Sequence, residues 1–131
     1  MKQQEWRWAE VDPWGHAVYC SDDTWQRKPY HENRPELYTH EDVIRETIRD
    51  PHQLWDDLME TARVQQRNPD AQVVGYVGSG RGRGRYTDHL IVVMVKWLPE
   101  PPTHTVVGYV GTMFLPRRLQ SHLALRWKVD L

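Results

Sequence analysis

The sequence predicts an α+β fold in which a helix covers one face of an antiparallel sheet. Three observations predict it. Residues 90–98, LIVVMVKWL, form the one long run of β-branched and aliphatic residues in a chain of 131, and read as a strand buried on both faces until Lys96 breaks the run. Residues 72–77 (QVVGYV) and 105–110 (TVVGYV) flank that run with the same β-rich character, and consecutive strands this close pair as a meander. Residues 41–49 place Val43, Ile44, Thr47 and Ile48 on one stripe behind Glu41 and Asp42, acids that suit a helix N-terminus, with Thr39 as candidate cap. A sheet with a bare apolar face needs such a cover.

The other elements follow from local signals. Residues 5–11 and 16–20 alternate in the strand manner, and Asp12-Pro13-Trp14-Gly15 between them matches a type I turn, with Pro second and Gly fourth. This is a β-hairpin, or equally a flap whose tryptophans are pinned to the core. Ser21 or Asp22 can cap a short helix carrying Trp25, while Pro29 and Pro35 divide residues 25–37 into two helical pieces with a bend. Asp50 precedes Pro51, which ends the helix of residues 41–49. Leu54, Trp55, Leu58, Met59 and Ala62 again have helical spacing, so a second helix with Asp50-Pro51 as N-cap and N1 is favoured as far as Gln66. The tail, residues 116–131, alternates polar and apolar positions and reads as one more strand or a docked helix.

Length points to a single domain over 1–131, with residues 1–22 as N-terminal hairpin or flap, 23–115 as core and 116–131 as tail. The longest apolar run is too short to cross a bilayer, and MKQQEWRWAE lacks the apolar stretch of a signal peptide, so the cytoplasm is the expected compartment. Cys20 is the sole cysteine, which excludes an internal disulfide and suits a small buried residue. Net charge is −1, yet residues 1–60 hold 14 acids against 7 Lys/Arg, and residues 61–131 hold 4 acids against 10. Such a split fits either a basic functional face on the sheet side or two halves that attract each other once folded.

Two stretches could carry chemistry. Residues 78–85, GSGRGRGR, put Arg81, Arg83 and Arg85 on a glycine-rich loop, where guanidinium groups can take phosphate oxygens bidentately. The competing reading is a solvated hairpin loop outside the core, and the absence of a following Gly-Lys-Ser/Thr excludes a P-loop. His31 has Lys28 and Arg34 three residues to either side, so the three could share a face and bind an anion, although a lone histidine of this kind is more often structural. The seven histidines show no metal-ligand spacing, and no Ser/His/Asp or Cys/His set can be argued.

The run TWQRKPYHENRPELYTHEDVIRETIRDP, the strand carrying Tyr76, then HLIVVMVKWL and TVVGYVGT, resembles in its order the small phage-type barnase/EndoU/colicin/RelE-like nucleases of bacterial and phage genomes. The resemblance covers residues 24–113. It implies an N-terminal helical part packed on a roughly four-stranded antiparallel sheet, and metal-independent RNA cleavage without a cofactor. RNA is the implied partner, with an antitoxin or other protein as a further one. Trp25, Pro35, Glu36, Leu37, Thr47, Ile48 and Pro51 match the family's pattern, Arg34 stands where a His is common, and Gly108 stands where a Thr is usual. No His follows Trp25 at the usual spacing, Lys28 or His31 being nearest. On this resemblance His31 and Tyr76 supply acid and base, and Lys28 and Arg34 stabilise phosphate beside Arg81, Arg83 and Arg85. The alternative is a catalytically inactive relative that binds protein through Trp6, Trp8 and Trp14.

Overall fold

Seven strands, β1 (Trp6–Val11), β2 (Ala17–Ser21), β3 (Gln53–Asp57), β4 (Gln72–Gly78), β5 (Ile91–Glu100), β6 (Thr105–Phe114) and β7 (Leu123–Lys128), are interspersed with three short helices, α1 (Asp22–His31), α2 (Glu41–Arg49) and α3 (Leu58–Gln65). This computed structural model describes residues 5–31 and 34–129, and all of their side chains except those of residues 28–31. The strands form one sheet in the order β1-β2-β6-β5-β4-β3-β7. All neighbours are antiparallel except β2 and β6, which run parallel.

A seven-stranded mixed sheet with three short helices corrects the expectation of a helical part on a four-stranded antiparallel sheet. Three segments account for the difference. The N-terminal hairpin joins the sheet by laying β2 parallel to Val107–Tyr109, with no helical crossover between them in the usual βαβ sense. Residues 53–57 form a strand where helical spacing favours a helix. There Leu54 is fully buried on one face while Trp55 packs on the other, and the helix begins only after Asp57, whose Oδ1 accepts from Glu60 N at 2.9 Å. The tail supplies β7, which pairs antiparallel with β3.

β5 is the fourth strand of seven, and its side chains explain both layers. Ile91, Val93, Val95 and Trp97 point to the inner face, where Val43, Ile44 and Ile48 of α2, Trp25 of α1 and Leu37 of the 3-10 turn Pro35–His40 complete the core. Val92 and Met94 point to the outer face, joined by Val73 and Val77 of β4 and edged by Trp55, Val64, Phe114, Leu119 and Leu123. Each fully buried aliphatic contributes about 1.5–3 kcal/mol. The central meander of β4, β5 and β6 is therefore the part of the sheet with apolar contacts on both sides.

Local chemistry sets the ends. Gly15 donates from its N to Asp12 O at 3.1 Å and has φ +85, which closes the first hairpin with a residue that lacks the Cβ penalty. Ser21 Oγ accepts from Thr24 N at 3.0 Å and so starts α1. Thr39 does not cap α2, because the chain enters that helix from the 3-10 turn and the Thr39 hydroxyl donates to Glu36 O at 2.9 Å. A Cβ at Gly108 would lie 2.8 Å from Val95 Cγ1 of β5 and 3.0 Å from Val18 Cγ2 of β2, so a Thr there would force both valines to shift. Cys20 is fully buried, and that burial pushes its thiol up to about 12.

Val93 lies in the centre of β5 with no exposed surface. Val93→Asp should abolish cooperative unfolding, since an unpaired buried carboxylate costs several kcal/mol or more, a large share of a small domain's stability. A urea melt checks this, and a cooperative transition near that of the parent would contradict the central place of β5.

Candidate functional site

The outer face is only partly covered. α3 packs on β4, where Thr61 Oγ1 accepts from Val73 N at 2.9 Å, and Leu119 and Leu123 flank the outer apolar cluster. Between this cover and the β6 side lies a groove of about 540 Å³ whose floor includes Val73, Met94, Gly111 and Phe114. Lys96, Arg34 and Arg63 bring positive charge to it, against Asp57 and Glu60. Arg63 is paired with Glu60 at 2.6 Å, and Asp57 is buried as the cap of α3. Lys96 makes no ion pair among the described residues.

Arg34 reaches the groove because β2 leaves β6. Their pairing ends at Tyr19 opposite Tyr109, so among the described residues no strand pairs with this side of β6 beyond that point. Arg34 Nη1 donates to Met113 O at 3.1 Å, and its guanidinium lies 5.3 Å from the centre of the Phe114 ring. Arg118 lies in a shallow depression that shares Gln120 with the groove.

Aromatic rings continue the groove across the open sheet. Trp6 of β1 is 44% exposed and its ring centre lies 5.0 Å from Tyr19 of β2 and 5.9 Å from Tyr109 of β6. Tyr19 and Tyr109 are 6.3 Å apart and nearly parallel, and Lys96 of β5 sits directly across from Tyr109. Burial, with a hydrogen bond to Glu100 at 2.8 Å, pushes the Tyr109 hydroxyl up to about 12. Strand alternation places Tyr19 and Tyr109, since Val18 and Cys20 turn inward around the first and Gly108 and Val110 around the second, while a register shift between Trp6 and Trp8 frees Trp6 from the inward face of Trp8.

The seven residues singled out from the sequence fall in different places. Of these, Arg34 alone lines the groove among the described side chains, and the side chains of Lys28 and His31 lie outside the described residues. Tyr76 is fully buried in the inner core, where it donates to Asp12 Oδ2 at 2.6 Å and accepts from Trp97 Nε1 at 3.0 Å. Burial and the Asp12 carboxylate raise its pKa far above the usual tyrosine value. Asp12 also accepts from the backbone N of Trp14 and His16 and lies 3.0 Å from His16 Nδ1, so this network ties the first hairpin to the core.

The arginine loop turns toward α2. Arg81 has only 10% of its side chain exposed and donates to Asp50 O at 2.6 Å and Thr47 Oγ1 at 3.2 Å, thereby capping the C-terminal end of the helix. Arg83 pairs with Asp42 and donates to Thr39 O at 2.8 Å, and this arginine holds the Asp42 carboxyl below the usual range. Arg85 lies over Tyr86 and donates to its hydroxyl at 2.8 Å. Trp8 is buried, while Trp6 and Trp14 are exposed on separate contacts, Trp14 against Trp127.

Lys96, Tyr109, Tyr19, Phe114 and Arg63 were not singled out from the sequence, and Trp6 was named there only as a protein-binding anchor. The signal for Lys96 was present, a charge interrupting a doubly buried strand. No helix among the described residues is long and apolar enough to cross a membrane, and no group of three or more His, Cys, Asp or Glu there could hold a metal ion. Fold and site together define a mixed-sheet α+β protein with a cationic, aromatic-edged groove on its open sheet face. No family model, no curated protein and no solved structure matches the chain.

Three substitutions separate structural from surface roles. Tyr76→Phe leaves a buried Asp12 acceptor and the Trp97 donor without their partner, and should cost about 1–3 kcal/mol in a denaturant melt. Arg81→Ala should cost a similar amount through Thr47 and the end of α2, whereas Arg85→Ala should stay within about 0.5 kcal/mol of the parent. Equal stability of all three variants would contradict these assignments.

Proposed function

We propose that the chain binds single-stranded RNA across the outer sheet face. The observation that carries this reading is the row Trp6, Tyr19, Tyr109 and Lys96 running across four strands into the groove that holds Arg34. Rings on a sheet surface stack unpaired bases, and cations beside them take the phosphates. A duplex hides its base faces, so single strands suit this surface better.

Metal-independent cleavage of the bound strand is a second reading, favoured by one observation. Arg34, from the RPEL segment that resembles the nucleases, lines the same groove. Among the described lining residues the groups that could exchange a proton are Asp57, Glu60, Lys96 and Tyr109, of which Asp57 is committed to capping α3, Glu60 to Arg63 and the Tyr109 hydroxyl to Glu100. Binding is therefore the stronger reading. Incubation of labelled RNA with the protein and a chelator tests cleavage, with His31→Ala as the discriminating variant. Cleavage lost in that variant at unchanged melting temperature would support the nuclease reading, and intact RNA would remove it.

Binding is tested by intrinsic tryptophan fluorescence titration with single-stranded oligoribonucleotides at several salt concentrations. Lys96→Ala should reduce the slope of log affinity against log salt by about 0.7, the contribution of one phosphate contact on a single strand. Tyr109→Ala should leave the slope unchanged and lose about 1–3 kcal/mol of stacking. Absence of quenching by any RNA at low salt would contradict the proposal.

A further inference from the structure

We propose that the groove contains a seat for one nucleotide at Gly111, and that this seat selects the base while the aromatic row accepts any sequence. The inference rests on the RNA-binding reading above and names what its groove takes. The strand register slips here: Met94 pairs with Thr112 and Val95 with Val110, so Gly111 is the extra residue of a β-bulge and it is exposed on the groove. Bulges re-aim the backbone beside binding sites, and a glycine within a strand marks a place where a ligand can approach the main chain closely. The fork where β2 leaves β6 opens this same stretch, and Arg34 occupies its far end at Met113 O.

The space belongs to a ligand and not to the protein. A Cβ built on Gly111 meets nothing nearer than Met94 O at 3.9 Å, so a side chain there would grow into the groove. A volume of about 540 Å³ lies within the range of small-molecule sites. The surrounding chemistry divides as a nucleotide does. The Arg34–Phe114 pair offers flat surfaces for a base, Met94 an apolar floor, and Lys96 a charge for the phosphate. Stacking alone barely distinguishes bases, whereas a base edge held against fixed backbone groups is read by its pattern of donors and acceptors.

The test compares uridine, adenosine, cytidine and guanosine homo-oligomers against the wild-type protein, Gly111→Leu and Gly111→Ala, reading tryptophan quenching and the melting temperature. The wild type should prefer one homo-oligomer by roughly tenfold or more, a difference of about 1.4 kcal/mol. Gly111→Leu should bind all four within about twofold, at the weaker level, while melting with the parent and keeping the salt slope. Gly111→Ala, which adds a single methyl, should show a smaller loss of preference and serves if the leucine variant does not fold. Equal binding of all four by the wild type, or an undiminished preference in a folded Gly111 variant, overturns the seat and leaves RNA binding standing. Absence of quenching by every oligomer overturns the RNA-binding reading, and the seat falls with it.

Discussion

A strand that is apolar on both faces requires two covers, and β5 is that strand here. On the inner face the requirement is met in full by α1, the 3-10 turn and α2, which together with the sheet enclose a core from Trp8 to Leu115. On the outer face it is met only as far as Val92 and Met94, beneath α3 and the residues that lead into β7. Lys96 is the next residue on that face. The cover ends where the burial requirement ends, so the groove and the half-exposed aromatic row are the portion of the sheet that the helices leave uncovered.

Charge follows the same division. The acidic first half meets the basic second half mainly on the inner side, where Arg81 and Arg83 engage Glu46, Asp50 and Asp42 around α2. Arg7 with Glu41, and Arg45 and Arg49 with Glu10, add further ion pairs between the first hairpin and that helix. Most of these pairs are partly solvated, so each contributes little to stability, but they commit two of the three loop arginines, Arg81 and Arg83, to α2. On the outer face Lys96 makes no ion pair among the described residues, and Arg34 donates to Met113 O at the edge of β6. Of the two meanings of the charge split, attraction between the halves is the one that the ion pairs around α2 carry.

Sequence periodicity revealed the elements whose burial is one-sided or complete. α2 spans residues 41–49 because four buried positions share one stripe, and β4, β5 and β6 lie side by side as their apolar runs require. Residues 53–57 were not legible, because Leu54 and Trp55 serve opposite faces of the sheet and the same two residues also fit a helix stripe. The parallel pairing of β2 with β6 is a long-range contact that no local pattern encodes. Tyr76 was conspicuous in a strand resembling those of nucleases, but its hydroxyl is spent on Asp12 and Trp97. The open row was hidden for a related reason: Trp6, Tyr19 and Tyr109 come together only when β1, β2 and β6 become neighbours.

Amide chemical-shift mapping with a short single-stranded oligoribonucleotide tests the assignment of function to the outer face most directly. The account predicts that perturbations gather at Trp6, Tyr19, Lys96, Tyr109 and Gly111, and that Arg81 and the Asp12–Tyr76 network stay silent. Perturbations confined to the loop of Arg81, Arg83 and Arg85, or none at all at saturating RNA, would contradict it.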